Sequence, residues 1–137
     1  MKLWMAILAG VLVVGACDDD DDDGTGPPDT QTITLATASE GVTGTAVITF
    51  DSGDENSIQV TLQGLEEGET YPGHIHQGSC ETGGPVVEQL ETIEADGSNE
   101  SVTTDNVSDE FLRAGFFVQY HRQVGQTLPP VACGDIQ

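Results

Sequence analysis

Ala46-Val47-Ile48-Thr49-Phe50 and, after a turn, Ser57-Ile58-Gln59-Val60-Thr61-Leu62 decide the fold of this chain. In both stretches apolar residues recur at every second position: Ala46, Ile48 and Phe50, then Ile58, Val60 and Leu62. An extended backbone points successive side chains to opposite faces, so each stretch predicts a strand with one face in a core and the other towards water. Asp51-Ser52-Gly53-Asp54 between them is a cluster of turn formers.

The same reading extends in both directions. Upstream, Ile33, Leu35 and Thr37 alternate with Thr32, Thr34 and Ala36. Downstream, further strands are expected at Thr70 to Gln77, Val86 to Ile93, Ser98 to Thr103, Gly115 to His121 and Val131 to Ile136. Turn signals separate them at Glu40-Gly41, Glu67-Gly68, Gly83-Gly84-Pro85, Asp96-Gly97 and Gly125. Seven or eight short strands with frequent turns indicate an all-β fold, an antiparallel Greek-key barrel or sandwich. One short helix is expected at Ser108 to Ala114, where Ser108 can cap the amides and Asp109 and Glu110 complement the N-terminus.

The N-terminus reads as an address. Lys2 precedes an apolar run from Leu3 to Val14, then Gly15, Ala16 and Cys17. That run falls short of the roughly 20 apolar residues that span a bilayer and halts at six aspartates, Asp18 to Asp23. Val14-Gly15-Ala16-Cys17 resembles the lipobox of bacterial lipoproteins, which implies cleavage before Cys17 and lipidation of its sulfur. The alternative is a plain secretory signal with an incidental cysteine. The expected organisation is a signal peptide over 1–16, a lipidated Cys17 with an acidic Gly/Pro tether over 17–32, and one β domain over 33–137. The tether holds no apolar residue from Asp18 to Thr32, too little to offset ordering entropy. The protein is therefore expected in the cell envelope, joined to a membrane through its N-terminal lipid and facing the periplasm or the exterior. By the same resemblance Asp18 favours inner-membrane retention, but sorting rules differ between bacteria and the membrane face stays open.

The chain carries three basic residues against 24 acids, a formal net charge of −21. Loss of Lys2 with the signal leaves two arginines against the 24 acids, a charge of −22. That excludes nucleic acid as a partner. With Cys17 set aside, Cys80 and Cys133 form an even pair, read as a disulfide in an oxidising compartment rather than as two free thiols. No phosphate-binding glycine loop, CxxC pair or G-x-S-x-G elbow occurs.

All three histidines fall in expected strands: His74 and His76 in Gly73-His74-Ile75-His76-Gln77, and His121 at the end of Phe117-Val118-Gln119-Tyr120-His121. Spacing of two puts His74 and His76 on one face, about 7 Å apart at the backbone, and Ile75 on the other. They can share a metal, or simply form the polar face of a half-exposed strand.

Gly73-His74-Ile75-His76, the following Cys80, Gly84-Pro85, the strand ending in His121 and Ala132-Cys133-Gly134-Asp135-Ile136 together resemble the copper/zinc superoxide dismutase superfamily. The resemblance implies an immunoglobulin-like, superoxide dismutase-like barrel. It also implies one copper held by His74, His76 and His121, which suits imidazole chemistry, and a disulfide between Cys80 and Cys133. Val86 stands where that family has its metal-bridging histidine, the zinc-binding loop is missing, and Pro130 stands where the substrate-guiding arginine belongs. No zinc is therefore expected, and Arg122 is a candidate substitute guide, although nothing in the sequence places it there. The segments His74-Ile75-His76, Gly83-Gly84-Pro85-Val86-Val87 and Leu112 to His121 also resemble the CHRD domain, an extracellular β module. Three functions follow: a copper binder working with copper-handling envelope proteins in storage, delivery or protection; a copper-only dismutase, weak or true; and a non-catalytic CHRD-like surface or adhesion module. The oligomeric state stays open.

Overall fold

The computed structural model describes residues 29–51 and 55–137. The expected signal peptide, Cys17 and the aspartate run lie outside the described residues. Eight strands follow in chain order: β1 (Asp29–Thr37), β2 (Thr43–Phe50), β3 (Asn56–Gln63), β4 (Thr70–Gln77), β5 (Val86–Glu94), β6 (Asn99–Val107), β7 (Phe116–His121) and β8 (Pro130–Asp135). Their order in the sheet is β5-β4-β7-β8-β1-β2-β3-β6, and every pairing is antiparallel. The chain crosses from β3 to β4, returns to lay β6 beside β3, and crosses again to lay β7 beside β4. This is the Greek-key barrel-like fold that the alternation and turn spacing predict.

The inward faces are the ones the period of two selects. Ile33, Leu35, Ala46, Ile48, Ile58, Val60 and Leu62 are buried from one half, and Tyr71, Ile75, Leu90, Ile93, Val118, Tyr120 and Val131 from the other. Each large apolar side chain taken fully from water contributes about 1.5–3 kcal/mol. β1 joins the halves: it pairs with β2 from Asp29 to Leu35, then with β8 through Ala36 and Thr37. At the opposite seam the edge strands β5 and β6 meet through side chains. The Glu91 amide donates to Thr104 Oγ1 at 2.7 Å, and Tyr120 Oη donates to the Glu91 carbonyl at 2.9 Å. Two backbone groups of an edge strand are thereby satisfied, which blunts a template for unwanted pairing.

Three expectations are corrected. Asp29 to Thr32, expected to be part of a tether without fixed structure, instead belong to β1, which begins at Asp29 and pairs its polar residues with Thr49 and Phe50 of β2. A ladder of backbone hydrogen bonds makes a strand of residues that lack apolar side chains. The expected helix is only a 3-10 turn over Asp109–Phe111, and the Ser108 side chain makes no cap hydrogen bond. Gly115, at φ 95°, turns the chain into β7 before a helix can extend. The strand expected to end at Thr103 continues to Val107, and the Asn56 side-chain amide donates to the Val107 carbonyl at 3.2 Å.

Candidate metal centre

Adjacent strands β4 and β7 carry the three histidines on their outer face. Register sets Gly73 opposite Tyr120 and His76 opposite Phe117. Ile75 and Tyr120 point inward and are fully buried, so His74, His76 and His121 share the other side. Gly73 is required here, since a Cβ would lie 2.2 Å from Tyr120 Cζ. Its bare backbone lets the Tyr120 ring run beneath the strand that presents His74.

An outer sheet face ordinarily meets water, yet His74, His76 and His121 are each only 7 % exposed. Two loops cover them. The first, between β4 and β5, is bound by the Cys80–Cys133 disulfide to β8, and the Cys80 amide donates to Asp135 Oδ1 at 2.7 Å. It folds back so tightly that a Cβ on Gly84 would collide with the Gln77 carbonyl oxygen. The second loop, between β7 and β8, supplies Leu128.

Each covering loop fixes one imidazole. His76 Nδ1 lies 2.9 Å from the Gly84 carbonyl and His121 Nδ1 lies 2.9 Å from the Leu128 carbonyl. A carbonyl only accepts, so both Nδ1 atoms carry the proton and both Nε2 atoms present a lone pair. His76 Nε2, His121 Nε2 and His74 Nδ1 are buried without a hydrogen-bond partner. A buried polar atom with no partner is costly, and here three occur together. One ligand nitrogen from each ring lies within 4.8 Å of the other two. Three nitrogens held about 2 Å from one ion sit about 3.5 Å apart, so small ring adjustments close the set.

The electrostatics favour neutral rings. Burial lowers the pKa of His74, reinforced by His76 and opposed by a hydrogen bond to the Gln89 side chain. Burial also lowers that of His121, opposed by the hydrogen bond to Leu128 and reinforced by His74 and His76. Neutral imidazole is the form that ligates. The three histidines can therefore hold a metal ion.

The other sequence-derived site residues are placed as follows. Cys80 and Cys133 are bonded to each other. Val86, which the dismutase resemblance set in place of a bridging histidine, pairs with His76 and is 46 % exposed. Pro130 pairs with His121 at the start of β8. Arg122 is taken by Glu40, Glu66 and Glu69 at 3.1, 3.0 and 3.2 Å. Sequence reasoning missed Gln89, the carbonyl of Leu128 and the aromatic partner of His76: Phe117, whose ring stacks on it at 4.9 Å and 14°. The signal for Phe117 was present, since it shares the period-two face of Gln119 and His121.

No curated protein matches the chain. The CHRD domain matches residues 28–127, from the threshold of β1 past His121 into the loop after β7, and stops before Leu128 and before β8 with Cys133. Spanning well over half of the sequence, that match means that the chain belongs to the CHRD domain family.

Proposed function

We propose that this CHRD domain binds one copper ion through His74 Nδ1, His76 Nε2 and His121 Nε2, and that the protein serves as a lipid-tethered copper binder of the cell envelope. The observation that carries the reading is the convergence of three partnerless, buried nitrogens of which two are aimed by backbone carbonyls. Such outer partners, which fix tautomer and orientation, typify metal-ligating histidines. Imidazole ligands suit copper, zinc, nickel and iron, and among divalent ions at a nitrogen site copper binds most tightly. A compact set of three nitrogens without a carboxylate also suits three-coordinate Cu(I). Copper would supply one-electron chemistry; the chain's own contribution is to bind the ion, orient the rings and keep water from them.

Dismutation is the less favoured activity. Its substrate is an anion, the mature chain carries −22 from two arginines against 24 acids, and Arg122 is engaged by three glutamates. Arg122 is thus neutralised as a positive charge that could steer an anion. The reading without metal, a surface module, draws on family membership and on the structural hydrogen bonds of His76 and His121.

One experiment separates the three. The purified full chain is dialysed against equal copper and zinc, its metal content is measured, and superoxide decay is followed in the same sample. One copper per chain with little superoxide consumption is expected. A metal-free protein leaves the surface module standing, and decay near the diffusion limit establishes the dismutase.

A further inference from the structure

Phe117 is fully buried, yet it does not belong to the barrel's hydrophobic core. Its neighbours in sequence show why. Val118 faces inward and joins the core cluster, whereas Phe117 opposes His76 and Asp135 on the outer face. There the ring lies 14° from parallel with the His76 imidazole at a centroid distance of 4.9 Å. Gly78, at the root of the disulfide-bound loop, comes close enough that a Cβ on it would sit 3.7 Å from Phe117 Cε1. A large aromatic outside the core is thus buried by the loop that covers the histidines, and its broad contact is with one ligand ring.

The three imidazoles are therefore held unequally. His121 is aimed by the Leu128 carbonyl, and His74 stands opposite Gln89 in the β4–β5 register. His76 is held twice: the Gly84 carbonyl fixes it in the ring plane at Nδ1, and Phe117 blocks rotation out of that plane. The two oxidation states of copper respond differently to such a constraint. Cu(I) has a filled d shell and accepts three nitrogens in a plane, whereas Cu(II) prefers a tetragonal set and would need the rings to turn.

Resting on the copper reading above, we propose that Phe117 is a positioning residue that locks the plane of His76 and so biases the centre towards Cu(I). It touches the ligand ring and not the ion.

The test uses the full chain and measures Cu(I) and Cu(II) affinities separately by competition with chelators of known strength, in the wild type, Phe117→Leu and Phe117→Tyr. Leucine keeps apolar volume and removes the ring; tyrosine keeps the ring. Phe117→Leu should narrow the preference for Cu(I) by about tenfold, the lower end of what outer partners of metal ligands contribute, and Phe117→Tyr should restore it. The metal-free protein gives a second readout: the ring current of Phe117 should displace the carbon-bound proton signals of His76, and the displacement should vanish in Phe117→Leu. Should that variant fail to fold, Phe117→Met takes its place. Equal affinity ratios in the leucine and wild-type proteins overturn the proposal while leaving the copper site intact. A wild type that binds no copper overturns the site itself.

Discussion

The outer faces of the two halves of the barrel are made by the same alternation and have opposite fates. On the half built from β1, β2, β3 and β6, register lines up Thr34, Thr45, Thr61 and Ser101 across four strands, and Thr34, Thr45 and Ser101 are exposed. On the half built from β5, β4, β7 and β8, the equivalent face carries His74, His76, Phe117 and His121, all buried. Strand pattern is common to both. What differs is that two loops fold over the second face, one bound by the disulfide and the other through Leu128. A sheet makes a face, and loops decide whether that face becomes a site.

Breaking the disulfide should have the largest effect and should act on one half only. Its partners are 53 residues apart, and the chain-entropy model gives about 4 kcal/mol for a loop of that size. Replacing both cysteines by serine should lower stability by that order. Amide exchange should quicken in β4, in the loop after it and in β8, with β2 and β3 changing less. Uniform loss of protection across both halves would show that the covering loop has no special place.

Next come the inward faces, where the halves should behave alike. Ile58 and Ile75 are each fully buried, and replacing either by alanine should cost about 2–5 kcal/mol in denaturant unfolding. A much smaller loss for Ile75→Ala would mean that the histidine half is loosely packed.

Acid should act on the histidine half by a smaller amount. Burial holds His74 and His121 below the ordinary value of 6.5. Beneath about 6.5 the unfolded chain takes up protons on these rings that the folded chain refuses, so stability falls as pH drops from 6.5 through their folded values and is fully present above. The same lowering keeps these two rings neutral further into acid, so copper release should begin below pH 6.5. Unfolding followed from pH 7.5 to 5 should show this slope in the wild type and a shallower one in His121→Gln.

The smallest effect belongs to the open face. Thr45→Ala should shift stability by no more than about 0.5 kcal/mol and leave copper affinity unchanged, which the same denaturant and titration assays would check.

The difference between the halves also marks how far the sequence could be read. The strands and their inward residues follow from a period of two, and Gly73-His74-Ile75-His76 already states that Ile75 goes to the core and both histidines to the other side. The closeness of His121 came from family resemblance, because pairing of β4 with β7 across the intervening β5 and β6 is a matter of topology that local pattern does not contain. Burial of the three rings was not legible, and half-exposure remained an open reading. It depends on a loop whose tight return needs Gly84 and on carbonyl groups, which every residue possesses and no sequence pattern advertises. The same blindness shortened the helix at Ser108 and hid the strand at Asp29, where backbone pairing decides and side-chain character does not. Arg122 was the single candidate for guiding an anion; its three glutamates arrive from two distant loops.

The most direct test of the account is a copper titration of the wild type beside His74→Ala, His76→Ala and His121→Ala, with folding of each checked by circular dichroism. The account predicts one copper per wild-type chain with nitrogen ligands, and affinity reduced at least about 100-fold in every single variant, since two imidazoles remain of three. Four folded proteins that bind copper equally would contradict it.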